Sequence, residues 1–336
     1  MNADGRIEPP GSPSMESWNT DKRPSYLEYL KRIRPGLNEA IGSYVFPFFE
    51  GRGIERGFEG IVTGGKRLRG GLTLAAFELM SRARSKRAVA LDLAVAVELA
   101  HTVSLIHDDI IDEDTERRGA ASLHMTMGRK RALLEGLGLL SIPYTVASRH
   151  GTDFVHDLSE VHMRMVRGAL IEFGTEKKRS LDEYQRIVEL KTGSLFGLAA
   201  KFGAKAAGAE PSIVDGLQSF GVLIGTIYQI LDDLSDLHAA RESRKALGQG
   251  SEAVLLRYLN GDPIAKTPHQ MSVDEWKSMI GNFDQVLMRT TRRAYEIADG
   301  LAREYPRKFA ESPRSSGGAP SLRSIILGIS EIAKAG

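Results

Sequence analysis

From Tyr26 onward the apolar residues return at helical intervals. Leu27, Tyr29, Leu30, Ile33 and Leu37 fall near one helical face, with Pro35 expected to mark a kink or an end. Gly64-Gly65 interrupts the pattern just before Lys66-Arg67-Leu68-Arg69. Residues 71–82 and 87–112 then read as two helices rich in Ala, Leu and Val. The second is apolar nearly all round, which predicts burial inside the protein. Further helical patterns cover roughly 120–148, 152–175, 181–203, 211–239, 252–260, 273–304 and 320–334. Sustained period-two alternation is missing, as is any Asn-Gly hairpin signal between β-branched runs. Loops are short except around 240–251 and 261–272, and no repeat of 20–50 residues is present. The pattern predicts an all-α fold: one domain of ten or more helices around a central buried pair.

Composition refines this picture. Residues 1–23 are rich in Pro, Gly, Ser and Asn and are expected to form a disordered tail, leaving 24–336 as a single domain. The N-terminal stretch has neither a basic region nor an apolar core, so it is not read as a secretory leader. The longest apolar stretch, Val89 to Ile106, is broken by Asp92, Glu98 and His101, so no transmembrane segment is expected. Hydrophobic residues make up 42% of the 336 residues and charged residues 26%, enough to bury a core. Lys and Arg total 45 against 43 Asp and Glu, a balance that argues against nucleic acid as a partner. There is no cysteine, which excludes disulfides, thiolate nucleophiles, Cys-ligated zinc and iron–sulfur clusters. A reducing, cytoplasmic location is expected.

The chemistry concentrates in two acidic clusters. One is Leu105-Ile106-His107-Asp108-Asp109-Ile110-Ile111-Asp112-Glu113-Asp114; the other is Tyr228-Gln229-Ile230-Leu231-Asp232-Asp233-Leu234-Ser235-Asp236. Each carries the pattern D-D-x-x-D, and each is read as ending an apolar helix. With 18 aspartates in the chain, two such patterns are expected by chance on the order of 0.001 times. On a helix, Asp108 and Asp112 share a face, as do Asp232 and Asp236, and like charges so placed repel. A cation should offset that repulsion. Hard oxygen donors without cysteine suit Mg²⁺, which takes one or two carboxylates plus substrate phosphates. Basic groups complete the set: Lys66, Arg67 and Arg69 beside a Gly pair, Arg117-Arg118 after the first cluster, and Lys191-Thr192 within a helical run. Such a mixture of carboxylates and cations suits two diphosphates, one held through metal and one held directly.

These residues resemble the trans-isoprenyl diphosphate synthase (polyprenyl synthetase) family. The resemblance runs over residues 30–240, with GGKRLR at 64–69, ELAHTVSLIHDDIIDEDTERRG at 98–119, KTGSLF at 191–196 and YQILDDLSD at 228–236, in the family's order. It implies an isoprenoid synthase bundle with a deep central cavity, and condensation of an allylic diphosphate with isopentenyl diphosphate. Asp108, Asp112 and Asp232 resemble the Mg²⁺ ligands, with Asp236 and the middle acids Asp109 and Asp233 in support. The resemblance implies three Mg²⁺ per site, with Mn²⁺ able to substitute. Arg117, Lys191, Thr192 and Gln229 resemble contacts to the allylic diphosphate. Lys66, Arg69, His101 and Arg118 resemble the isopentenyl diphosphate site. His101 lies two helical turns before Asp108 on the same face, a geometry consistent with that role. Catalysis by Asp108, Asp112, Arg117, Lys191 and Asp232 would be electrostatic, and a homodimer is implied.

The chain also departs from the family pattern. The Gly-Lys-Pro-x-x-x-Asp-like loop after the second cluster is replaced by Leu237–Gly250, in which Lys245 stands nearest the family's lysine. A usual Gly-Asp reads Gly136-Leu137, and a usual Gly-Gln reads Gly168-Ala169. Two other readings compete. A class I terpene cyclase also uses D-D-x-x-D, but its second motif ends in Ser/Thr and Glu, where this chain has Asp236 and Ala240. A non-catalytic subunit of a heteromeric synthase would tolerate the departures. Product length should depend on Val103 and Ser104, which lie beneath the first cluster. In the family, aromatics at those two positions close the tunnel at about fifteen carbons, so their small size here predicts a geranylgeranyl-length product or longer. Tyr144 is the alternative floor.

Overall fold

The computed structural model describes residues 23–49, 60, 64–81, 84–117, 119–173, 180–243, 268–309 and 318–334. Residues 1–22 of the expected tail over 1–23, the helix over 252–260, Lys245 and Arg118 lie outside the described residues.

Helix α1 (Tyr26–Val45) starts at Ser25, whose hydroxyl accepts from the Glu28 amide at 3.2 Å while Glu28 accepts from the Ser25 amide at 2.8 Å. This reciprocal pair satisfies donors that a helix start otherwise leaves open. Tyr29, Leu30, Ile33 and Leu37 are buried as the spacing predicts, but Leu27 faces out. Pro35 does not end the helix, which continues ten residues beyond it. Helices α2 (Leu68–Met80) and α3 (Arg87–Ile111) are the two Ala- and Leu-rich segments. The expected helix over 120–148 is divided. Glu116–Arg117 (β1) and Ala120–Ala121 (β2) form a two-residue antiparallel ribbon, and Gly128 at φ +82° separates α4 (Leu123–Met127) from α5 (Arg129–Ser148). Helix α6 (Thr152–Phe173) follows, and α7 (Leu181–Val188) joins α8 (Ser194–Ala207) through a π-helical turn at Glu189–Gly193. The remaining helices are α9 (Pro211–Ser243), α10 (Val273–Glu304), the short α11 (Pro306–Phe309) and α12 (Leu322–Lys334).

The centre is not only the expected pair α2 and α3. Helix α8 packs against α2, α3 and α9 and is buried almost throughout. Missing side chains permit that closeness. A Cβ on Gly203 would lie 2.1 Å from the Thr73 carbonyl on α2, and one on Gly221 of α9 would lie 2.5 Å from the Phe196 carbonyl on α8. The helices long and apolar enough to cross a bilayer, Arg87–Ile111 and Pro211–Glu242, are mostly buried against their neighbours and serve as core helices. The rest of the core joins α1, α10 and α12 to this centre.

Candidate active site

A cavity of about 1090 Å³ opens where the C-terminal end of α3 faces the middle of α9. Both outer acid pairs line it: Asp108 and Asp112 from one wall, Asp232 and Asp236 from the other. The sequence pattern placed each cluster at a helix end. That holds for the first, since α3 ends at Ile111 with the Asp112 amide bonded back to the Asp108 carbonyl at 2.8 Å. It fails for the second, because α9 continues to Ser243.

The middle acids are held differently from the outer ones. Asp109 is buried, does not line the cavity, and receives the Arg117 guanidinium, with Nε at 2.7 Å. Arg117 also reaches Asp114 at 3.3 Å, which ties the ribbon to the end of α3. Asp233 accepts from the Tyr184 hydroxyl at 2.5 Å and from Gln229 Nε2 at 2.8 Å. Gln229 Oε1 in turn accepts from Thr192 at 2.9 Å. The middle acid of each motif is thus tied to neighbouring side chains, and Asp233, unlike Asp109, lines the cavity with the outer two. Tyr184 and Glu172 were not singled out from the sequence; no local pattern marks a residue whose partner is 49 positions away.

The π turn carries Lys191 and Thr192, which the periodicity had placed in an unbroken helix. An extra residue in a helical turn re-aims the side chains around it. Lys191 meets Glu172 of α6, and Thr192 faces Gln229. Burial opposes the charge on Lys191, but Glu172, Asp108 and Asp112 outweigh it and hold the ammonium above the ordinary lysine range.

Burial also pushes the carboxyls up. Asp108 is raised despite Lys191; Asp112 is raised to about 6; Asp232 is raised despite Lys66, Tyr228 and Arg69; and Asp233 is raised to about 7. Among the described residues that line the cavity, carboxyls outnumber the cations Arg69, Arg117 and Lys191.

Arg69 and His101 line the same cavity, Arg69 with its guanidinium 4.4 Å from the centre of the Phe196 ring. Lys66 does not line it. Its Nζ donates to the Ile332 carbonyl at 3.2 Å, and it is exposed. Part of the lining is apolar. Val103 and Ser104 border it, and so do Leu133, Leu137, Tyr144, His162 and Val166. The Tyr144 hydroxyl and His162 Nδ1 lie 2.6 Å apart. A separate group, His156, Asp157 and Glu160 on α6, brings its ligand atoms within 4.8 Å, but Asp157 is taken up by Lys201 and Lys205 at 2.6 Å each. It is not the centre that the sequence motifs define.

Comparison with known proteins agrees with this geometry. Residues 53–250 match the family model described as polyprenyl synthetase. The chain is 39% identical over 188 residues to a geranylgeranyl diphosphate synthase of Methanosarcina mazei, covering 53% of this chain and 57% of that protein. It is 33% identical over 258 residues to a farnesyl diphosphate synthase of Bacillus subtilis, covering 71% and 84%. A solved geranylgeranyl pyrophosphate synthetase from Geoglobus acetivorans superposes with a TM-score of 0.61 at 25% identity, covering 91% of this chain and 98% of that one. The fold and the paired aspartates therefore define an all-α isoprenoid synthase bundle. The chain belongs to the polyprenyl synthetase family.

Proposed function

We propose that the chain is a prenyltransferase that joins an allylic diphosphate to isopentenyl diphosphate, giving a longer all-trans prenyl diphosphate and pyrophosphate. The observation that carries this reading is one cavity lined both by the outer carboxylates of the two acidic motifs and by apolar side chains. The acidic part suits a metal-bound diphosphate and the apolar part suits a hydrocarbon chain.

The donor set fits Mg²⁺. Asp108, Asp112, Asp232 and Asp236 offer hard oxygens from two walls, and burial raises Asp108, Asp112 and Asp232, so a cation beside them would offset the cost of their charge. Mg²⁺ held there would stabilise the charge that develops on the departing diphosphate. Lys191 and Thr192 would hold the allylic diphosphate beside it, with Arg117 at the rim and Gln229 orienting Thr192. Arg69 and His101 would hold isopentenyl diphosphate, and the family resemblance assigns Lys66 and Arg118 to the same substrate. In the reaction the allylic C–O bond breaks and both electrons leave with the diphosphate. The π electrons of isopentenyl diphosphate form the new C–C bond, and a proton passes to a pyrophosphate oxygen. The protein's part is to place the reactants, to stabilise charge and to keep water from the allylic cation.

Product length belongs to the same proposal. Val103 and Ser104 border the cavity without closing it, since the lining continues to Tyr144 and His162. This supports a product of geranylgeranyl length or longer. A homodimer is also part of it: Leu134 on α5 and Met163 on α6 are exposed and do not line the cavity, apolar side chains suited to contact with a second copy. We assign the reaction to the cytoplasm, where both diphosphate substrates dissolve. The test is incubation of the purified chain with Mg²⁺, isopentenyl diphosphate and each allylic primer, with chromatographic sizing of products. Elongated prenyl diphosphate is expected; absence of product with every primer rejects the reading.

A further inference from the structure

Helix α2 begins without a cap of its own. Its N-cap residue, Arg67, makes no capping hydrogen bond and sits at φ 57°, ψ 37°. That left-handed conformation is uncommon for a residue with a Cβ and persists only where the surroundings impose it. The missing cap comes from another helix. Glu98, buried in the middle of α3, accepts from the Gly70 amide at 2.7 Å. Gly70 is the third residue of α2, the place where an N-cap side chain would normally bond. A carboxylate there also meets the positive end of the helix dipole.

The same carboxylate takes the Arg67 guanidinium at 3.4 Å, while Arg67 Nε donates to Asn38 of α1 at 2.7 Å. Arg67 and Glu98 are both buried, at 3% exposure each. The approach depends on Gly70, where a Cβ would lie 2.8 Å from Glu98 Cγ. Lys66 and Arg69 flank Arg67 in sequence, and Arg69 lines the cavity. His101 stands three residues after Glu98 on the same helix, one turn away.

We infer that Glu98 and Arg67 are positioning residues, which lock the 64–70 segment to α3 so that Arg69 and His101 form one fixed anion-binding part of the cavity. The inference rests on the prenyltransferase reading and adds to it a source of order for the isopentenyl diphosphate side. Breaking the lock should loosen that part and leave Lys191 and Thr192 on the π turn, and Asp232 and Asp236 on α9, in place.

The experiment compares wild type with Arg67→Gly and Glu98→Gln. Glycine accepts the left-handed backbone at no steric cost, so Arg67→Gly removes the guanidinium without adding strain, and Glu98→Gln tests the same contact with the backbone composition unchanged. Both variants should raise KM for isopentenyl diphosphate about tenfold or more, with KM for the allylic primer and kcat within about threefold. Equal rises in both KM values, or a lowered thermal midpoint with both KM values unchanged, would overturn the inference. If Glu98→Gln does not fold, Arg67→Gly decides alone. Calorimetric binding of isopentenyl diphosphate to wild type and Arg67→Gly, without primer, separates this inference from the parent reading. Weaker binding by the variant supports the lock even where no turnover is seen. Equal binding rejects it even in an active enzyme.

Discussion

Asp108 and Asp112 share a cavity wall because they lie four residues apart at the end of one helix, and Asp232 and Asp236 repeat that spacing on another. Their proposed work is on the charge of the transition state. Asp108→Ala or Asp232→Ala should therefore lower kcat by about 100-fold or more while moving KM less, as steady-state kinetics would report. Removing divalent metal with excess EDTA should abolish turnover, and Mg²⁺ or Mn²⁺ should restore it; full activity in chelator would exclude the metal role. The two substrate halves should also separate. Arg69→Ala is expected to raise KM chiefly for isopentenyl diphosphate, and Lys191→Ala chiefly for the allylic primer. Identical effects of both substitutions on both substrates would refute the assignment. The middle acids behave differently from the outer ones. Asp109 and Asp233 hold Arg117 and Tyr184, so their loss should cost stability as well as rate.

Elements meet closely here because glycines let them. A Cβ at Gly168 of α6 would lie 2.9 Å from Lys191 Cγ on the π turn, so that contact sets the place of the cationic side chain. Gly203 is tighter still, with backbone of α2 in the way. Backbone cannot rotate aside as a side chain can, so Gly203→Ala must force α8 and α2 apart. Overpacking of this kind costs about 1–3 kcal/mol. A lowered thermal midpoint by calorimetry is expected, and an unchanged midpoint would show that the helices are free to separate.

On the proposed reading, the depth of the cavity limits the product. Val103 is buried and borders the cavity, and an aromatic ring there fills space that the next five-carbon unit would occupy. Val103→Phe should shorten the main product by at least one such unit in chromatographic sizing. If wild type stops at farnesyl diphosphate, or the distribution is unchanged, Tyr144 and His162 are the better candidates for the floor. The exposed Leu134 of α5 and Met163 of α6 predict a dimer by light scattering, and Leu134→Lys should weaken it. A wild-type monomer at micromolar concentration would reject that face as the contact.

The periodicity of apolar residues determined that the chain is helical and placed most helices, since a helix buries one stripe whatever it packs against. The D-D-x-x-D spacing determined which carboxylates share a face, because four residues make about one turn. Relations between distant segments were left to the tertiary structure. The π turn at Lys191 and the break at Gly128 interrupt sequences whose apolar pattern runs on. The division of labour within each acidic motif depends on Arg117, Tyr184 and Gln229, and for Tyr184 the partner comes from another helix. Glu98 looks in sequence like a blemish in an apolar helix, yet in the fold it caps the start of α2. Local spacing encodes which way a side chain points; only packing decides what it meets.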